Sequence, residues 1–275
     1  MTLPITLLTD YGNADEFAGA CRLVIERLTP GAHVIDLTHG IPPGDVRRGA
    51  LALEQSARVG PRAVHLAVVD PGVGTARRGV AVASGDGSLL VGPDNGLLTL
   101  ALEARGGAVA AVDVSTTALR LEPASATFHG RDIFAPVAAH LAAGRPLAAA
   151  GDPFDPGDLV ALELPTAIVQ DDRLHAHVLY ADGFGNLILD ARPGELRAVV
   201  PGAAPLAVSA PAGRFAAVRG RTFADGSGDD GGEAGEALVV YDDSAGRLGV
   251  AVDRGSAAEL LGAARDDELI LERAP

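Results

Sequence analysis

Lysine is missing from this chain: all 22 basic residues are arginine. That removes P-loop lysines, Schiff-base chemistry and pyridoxal-phosphate enzymes together, because each depends on a lysine amine. Cysteine is almost missing as well. The single Cys21 allows no internal disulfide, which suits a reducing compartment. No secretory leader pattern or bilayer-length apolar run occurs, so the expectation is a cytoplasmic protein with no membrane partner. Positive charge is outweighed by 36 Asp and Glu, giving a formal charge of −14. Nucleic acid, which calls for a basic face, is therefore disfavoured, and a neutral or cationic small ligand is easier to hold. Familiar site motifs fail too. There is no Gly-x-Ser-x-Gly elbow. Gly72-Val-Gly74 opens like a dinucleotide loop, but the next glycine is Gly79, with Arg77 and Arg78 intervening. His175 and His177 lack the companions of a metal site and read as surface histidines, so no metal is expected.

What is present is a set of apolar strands that end on carboxylates. AVHLAVVDPGVGTARR (63–78) is β-prone on both faces, stops at Asp70 and enters a Pro-Gly turn, with Arg77 seven positions on. Open α/β sheets place their ligands at such strand ends. Ile5–Asp10 is a second strand ending in Asp, Ala32–Thr38 a third, and Leu89–Gly96 a fourth that breaks into Pro-Asp-Asn-Gly. Helical spacing fills the intervals. Phe17, Cys21, Val24, Ile25 and Leu28 share one face of a helix over 14–28, with Asn13 or Asp15 as cap. Further helices are expected from about 45 to 59 and from about 96 to 105. The alternation predicts an α/β N-terminal domain with a largely parallel sheet over 1–150. Asp10 and Asp70 then share one sheet edge if their strands run parallel.

The second half changes character. Residues 151–165, rich in proline and glycine, read as a linker. From 166 to 275 short strands predominate, at Ala167–Val169, Leu174–Tyr180, Leu187–Leu189, Leu196–Val200, Leu238–Tyr241 and Leu248–Val252. That spacing predicts a smaller all-β C-terminal domain, an antiparallel barrel or sandwich. The acidic, glycine-rich stretch 222–237 reads as a solvated loop.

A last cluster, ATFHGRDIFAPVA (126–138), sets His129 before Gly-Arg-Asp, with Asp132 placed to cap a following helix. Joined to TDYG (9–12), VVDPGVGTARR (68–78), DGFGN (182–186) and the closing SAGRLGVAVDRGSAAELLG (244–262), it resembles the S-adenosylmethionine hydroxide adenosyltransferases, the sister family of the fluorinases and chlorinases. The resemblance spans nearly the whole chain. It implies hydrolysis of S-adenosylmethionine to adenosine and methionine, with no cofactor besides the substrate. It implies a homotrimer, each site lying between the N-domain of one subunit and the C-domain of the next. By the same resemblance Asp70, Arg77 and His129 are catalytic and Asp10 holds the ribose. Phe184 and Asn186 touch the adenosine part, Ser244 holds the methionine end, and Asp182 meets its amino group. The chain departs from the family at Asp190, where an asparagine is usual.

Elementary chemistry agrees with those roles. The 5′ carbon of a sulfonium is already activated and methionine leaves as a neutral thioether, so no general acid is needed. Water must be oriented in line and give up a proton, which Asp70 or His129 can accept while Arg77 stabilises hydroxide character. Because an adjacent Arg lowers the pKa of an Asp, His129 is the expected proton acceptor, with Asp70 orienting the water. Two alternatives stand beside this reading. A halogenase is disfavoured because fluorinases carry Tyr, Thr and Ser where this chain has Asp70, Val73 and Gly130, and a carboxylate repels an incoming halide. A non-catalytic S-adenosylmethionine or adenosine binder would use the same pocket, but would have no use for the Asp-Arg-His set.

Overall fold

The computed structural model describes residues 2–274 except 203, 223, 224 and 226–237, so the expected loop at 222–237 lies almost wholly outside the described residues. The chain divides into two compact units, Met1–Glu163 and Leu164–Pro275.

In the first unit, strands β1 (Ile5–Thr9) and β3 (Val64–Val68) are buried along their full length, as their two-faced apolar composition demands. They are interior strands of a seven-stranded sheet with β2 (Val34–Thr38), β4 (Gly79–Ser84), β5 (Leu89–Pro93), β6 (Ala108–Asp113) and β7 (Asp152–Phe154). The order is β2-β1-β3-β5-β4-β6-β7. The half that carries the candidate residues, β2-β1-β3-β5, is parallel, whereas β4, β6 and β7 add antiparallel.

Helices α1 (Phe17–Leu28), α2 (Val46–Val59), α3 (Thr99–Ala104) and α4 (Ala135–Ala142) cover the sheet. The apolar face of α1 packs with α4 over Ile5, Leu7, Leu66 and Val68. Val69, of opposite parity on its strand, meets Gly49 of α2, so α2 covers the other face. Asp45 caps α2, its carboxylate accepting the Arg48 N–H at 3.0 Å. Helix α1 begins later than its spacing predicts: Glu16 is the N-cap and offers no side-chain bond, so neither Asn13 nor Asp15 serves.

The stretch read as linker is drawn into this unit as far as Glu163. Its Asp152–Phe154 pairs with β6, the Arg78 guanidinium stacks 4.4 Å from the Phe154 ring centroid, and Asp94 accepts the Val160 N–H at 2.8 Å. These contacts join distant parts of the chain, which proline and glycine content cannot reveal.

The second unit is a closed barrel. Its strands are β8 (Ile168–Gln170), β9 (Arg173–Ala181), β10 (Leu187–Leu189), β11 (Leu206–Ala210), β12 (Gly213–Gly220), β13 (Leu238–Asp242), β14 (Leu248–Val252) and β15 (Glu268–Arg273). Seven close the ring β10-β14-β13-β12-β11-β15-β9 through the β9–β10 pairing, and β8 extends β9 outside it. All pairings are antiparallel except β12–β13. The expected strand at Leu196–Val200 is instead the end of helix α5 (Pro193–Val199). Proline in its first turn and the Glu195 carboxylate, which accepts the Arg192 N–H at 2.6 Å, start that helix. Helix α6 (Ala257–Leu261) is capped by Ser256, which accepts the Glu259 N–H.

Candidate active site

Thr9 and Val68 are paired neighbours on parallel strands, so Asp10 and Asp70 emerge together from one edge of the sheet. The Asp10 amide donates to the Val68 carbonyl at 3.3 Å, and its carboxylate accepts the Gly44 N–H at 2.8 Å. Asp70 lies deeper, with 6 % of its side chain exposed. Arg77 returns along the intervening turn and clamps it with two donors: Nε to Oδ1 at 3.0 Å, and Nη2 to Oδ2. That turn depends on Gly74 at φ +77°, where a Cβ would fall 2.6 Å from the Ala126 carbonyl. The turn thereby passes directly under the segment that leads to His129.

His129 precedes a π-helical turn, Gly130–Phe134, that runs into α4. Such turns recur at functional sites because they re-aim side chains within a helix. Asp132 sits inside this turn rather than at a cap. Its buried carboxylate accepts the Ser125 N–H at 2.8 Å and the Arg131 guanidinium at 2.6 and 2.9 Å. The loop bearing His129 is anchored at both ends in this way. Gly130 leaves no room for a side chain, since a Cβ would fall 2.1 Å from the Tyr11 hydroxyl. Tyr11, Phe17 and Phe128 meet edge to face with centroids 5.4–5.9 Å apart and wall this corner.

A third Arg77 contact decides the protonation pattern. Arg77 Nη2 lies 3.2 Å from His129 Nδ1, and a guanidinium has no lone pair to offer. His129 must accept there, so it is neutral with its proton on Nε2. Burial, reinforced by Arg77, holds its pKa below the ordinary imidazole value, consistent with that state. Burial also pushes the Asp70 carboxyl above the ordinary range, and this outweighs the opposing pull of Arg77. Where neighbours alone predict a lowered carboxyl, burial raises Asp70 instead, and it weakens His129 as a base. The lone pair of His129 is already engaged, whereas Asp70, which accepts from Arg77 Nε, Arg77 Nη2 and the Gly72 amide, still has one of its four acceptor positions to offer. Tyr11 is held neutral by burial, with Cys21, Asp10 and Asp70 adding to the shift.

The second unit carries the other expected residues on its own turns. Asp182 builds the β9–β10 turn: Oδ1 accepts the Phe184 and Asn186 amides at 2.8 and 3.0 Å, and Oδ2 the Asn186 side chain at 2.9 Å. Asn186 is thereby locked and buried, while Phe184 stands 83 % exposed. Both line a cavity of about 430 Å³ with Val252, Asp253, Arg254 and Gly255. These last four were not singled out from sequence, although an Arg-Gly pair directly after a strand is a turn signal, and Arg254 does adopt a positive φ of 55°.

Ser244 does not line that cavity. It occupies the β13–β14 turn after Asp243, whose carboxylate accepts the Ala245 and Arg247 amides. Tyr241 lies near both turns. Burial, with the Asp182 and Asp243 carboxylates nearby, pushes its hydroxyl up to about 12. Asp190, the departure from the family, accepts the His177 amide at 2.8 Å and pairs with His177 Nδ1 at 3.0 Å, tying its own strand to β9. His175 pairs with Glu268 at 2.9 Å. Among the described residues no group of three or more His, Cys, Asp or Glu is arranged to hold a metal, and no helix is long and apolar enough to cross a membrane.

Two family matches cover most of the chain: SAM hydroxide adenosyltransferase N-terminal domain over residues 5–151 and C-terminal domain over 176–270. The chain belongs to the SAM hydroxide adenosyltransferase family. It is 52 % identical to a Salinispora tropica protein named (R)-S-adenosyl-L-methionine hydrolase, over 96 % of each chain. A crystal structure of an uncharacterized conserved protein from Thermotoga maritima matches with a TM-score of 0.88 at 34 % identity, covering 98 % of this chain and all of that one. A fluorinase from an Actinoplanes species is more distant, 29 % identical over 58 % of this chain and 61 % of its own.

Proposed function

We propose that the protein hydrolyses S-adenosyl-L-methionine to adenosine and L-methionine. Water oxygen attacks C5′ of the ribose in line, the C5′–S bond breaks, and its electron pair leaves on the methionine sulfur as a neutral thioether. The attacking water loses one proton to Asp70. The observation that carries this reading is the Arg77 clamp, which fixes Asp70 as a buried carboxylate and His129 as an Nε2–H donor beside it. A water held between them donates to Asp70 and accepts from His129, which orients it and strips its proton as the bond forms. The guanidinium stabilises the hydroxide character that develops. Asp10 takes the ribose hydroxyls, and Phe184 and Asn186 take the adenosine part. Asp182 and Ser244 take the methionine end. No metal or further cofactor enters the scheme, and the lone buried Cys21 is in keeping with residence in the cytoplasm.

The reading extends to a homotrimer in which the first unit of one subunit and the second unit of its neighbour share a substrate. A phenyl ring as exposed as Phe184 calls for a cover, and a closed ring of head-to-tail contacts supplies one for every subunit. Mixing His129→Ala with Asn186→Ala protein then restores activity once subunits exchange. A fully active monomer would refute the shared site.

The reaction is tested with purified protein in H₂¹⁸O, offering both sulfonium epimers because the Salinispora relative is named for the R form. Adenosine carrying ¹⁸O at its 5′ oxygen is the expected product, and millimolar chloride is not incorporated. A chlorinated nucleoside as main product, or binding without turnover of either epimer, overturns the proposal.

A further inference from the structure

Behind Asp10 lies a buried histidine that the proposed reaction does not use. His39 is 8 % exposed and follows the strand next to β1. Its Nδ1 lies 2.9 Å from the Thr9 hydroxyl, and that hydroxyl accepts the Tyr11 amide at 3.2 Å. Its backbone carbonyl accepts the Gly12 amide at 2.8 Å. His39 therefore holds Thr9 and Gly12 directly and Tyr11 through the Thr9 hydroxyl, the residues on either side of Asp10.

The protons on this chain of contacts can be assigned. His39 Nε2 is buried and faces Asp36 Oδ1 at 3.3 Å, off the line of a hydrogen bond. A lone pair there would confront a carboxylate, so Nε2 carries the proton and Nδ1 is the acceptor. The Thr9 hydroxyl then donates to Nδ1, and its oxygen is left to accept the Tyr11 N–H. Asp36 is itself held by Arg22, whose Nε donates to it at 3.0 Å. Every link has one polarity, which fixes the strand end in a single conformation.

We infer that His39, acting through Thr9, is a positioning residue that sets the Asp10 carboxylate for the ribose hydroxyls. The inference rests on the reading of Asp10 given above. Asp10 has only the Gly44 amide as a side-chain partner among the bonds described, so its aim depends on the backbone that bears it. Releasing that backbone should weaken ribose recognition while leaving the Asp70–Arg77–His129 cluster intact.

The test is calorimetric binding of adenosine and of 2′,3′-dideoxyadenosine to wild-type, His39→Ala, Thr9→Val and Thr9→Ser proteins, with KM and kcat measured on the same preparations. In the wild type, loss of both hydroxyls weakens binding by about ten- to a hundredfold. In His39→Ala that penalty shrinks by about threefold or more, and the kinetic loss falls on KM rather than kcat. Thr9→Val, which keeps the shape and removes the hydroxyl, behaves the same way even if His39→Ala folds poorly. Thr9→Ser restores the wild-type penalty. A wild type that does not distinguish the two nucleosides sinks the ribose reading, and the inference with it. A wild type that does, with the penalty unchanged in both His39→Ala and Thr9→Val, sinks the inference alone.

Discussion

Replacing Arg77 by methionine separates what the Asp70–Arg77 pair does for stability from what it does for chemistry. The two side chains are 6 % and 9 % exposed, so removing the guanidinium leaves a carboxylate with neither water nor a counter-charge. Breaking a buried pair from one side costs about 3–5 kcal/mol. For a unit of this size that corresponds to a melting temperature lower by roughly 6–20 °C. The deficit has a definite pH dependence. Burial already holds the Asp70 carboxyl above the ordinary value of 3.8, and loss of Arg77 raises it further. The native variant then keeps a proton that the unfolded chain releases, so its stability falls as pH rises through that window and recovers toward acid pH. Adding Asp70→Asn removes the stranded charge. The double variant should regain at least about half of the lost stability, since apolar or neutral replacements of buried pairs are often tolerated. Activity behaves differently. Both variants should lose turnover by about 10²–10⁴, because the base or its clamp is gone. Calorimetry across pH, with chromatography of released adenosine, reads both quantities. An Arg77→Met protein as stable as the wild type at neutral pH would show that Asp70 is not the buried, clamped carboxylate described above.

Two further predictions address the surroundings. Gly130→Ala forces a methyl against the Tyr11 hydroxyl, which the Phe17 and Phe128 rings hold in place, so kcat/KM for adenosine formation should fall about tenfold or more. Tyr11→Phe in the Gly130→Ala background should recover most of that loss, and no recovery would mean the clash is not the cause. His65, bonded to Thr6 at 2.8 Å and depressed by burial to about 4, stays neutral in the native state while the unfolded chain binds a proton below its ordinary 6.5. Stability should therefore drop as pH falls from 6.5 to about 4, reaching about 3 kcal/mol at the lower end. Urea unfolding of His65→Asn should show a shallower slope over that window, and an identical slope would remove His65 as the source.

The legible parts of the fold were those dictated locally. A strand apolar on both faces has to be interior, so ITLLTD and AVHLAVVD read as interior strands whose terminal carboxylates share an edge if the two run parallel; that they run parallel as direct neighbours is seen only in the structure. Local alternation does not mark the barrel strands β11, β12 and β15, and it predicts strand at Leu196–Val200, where helix α5 ends. There the deciding signals are a proline at a helix start and pairings with distant partners, such as Leu206 with Arg273, rather than local alternation. The π-helical turn after His129 was equally hidden, because nothing in Gly-Arg-Asp-Ile-Phe favours that turn over an ordinary helix.

The chemistry of the site divides the same way. The resemblance carried by the separated motifs joins Asp70, Arg77 and His129 in one site, but their protonation depends on two things that motifs do not contain. One is depth: reasoning from neighbours made Asp70 the weaker base, and burial outweighs Arg77 to raise its carboxyl instead. The other is direction. Arg77 points one nitrogen of its fork at Asp70 and shares the next with His129 Nδ1, and because a guanidinium only donates, the histidine's lone pair is spent. A His-Asp pair without that arginine could pass water's proton to either partner. With it, the imidazole can only offer its Nε2–H, and the carboxylate is left as the one group in the cluster with an acceptor position to spare.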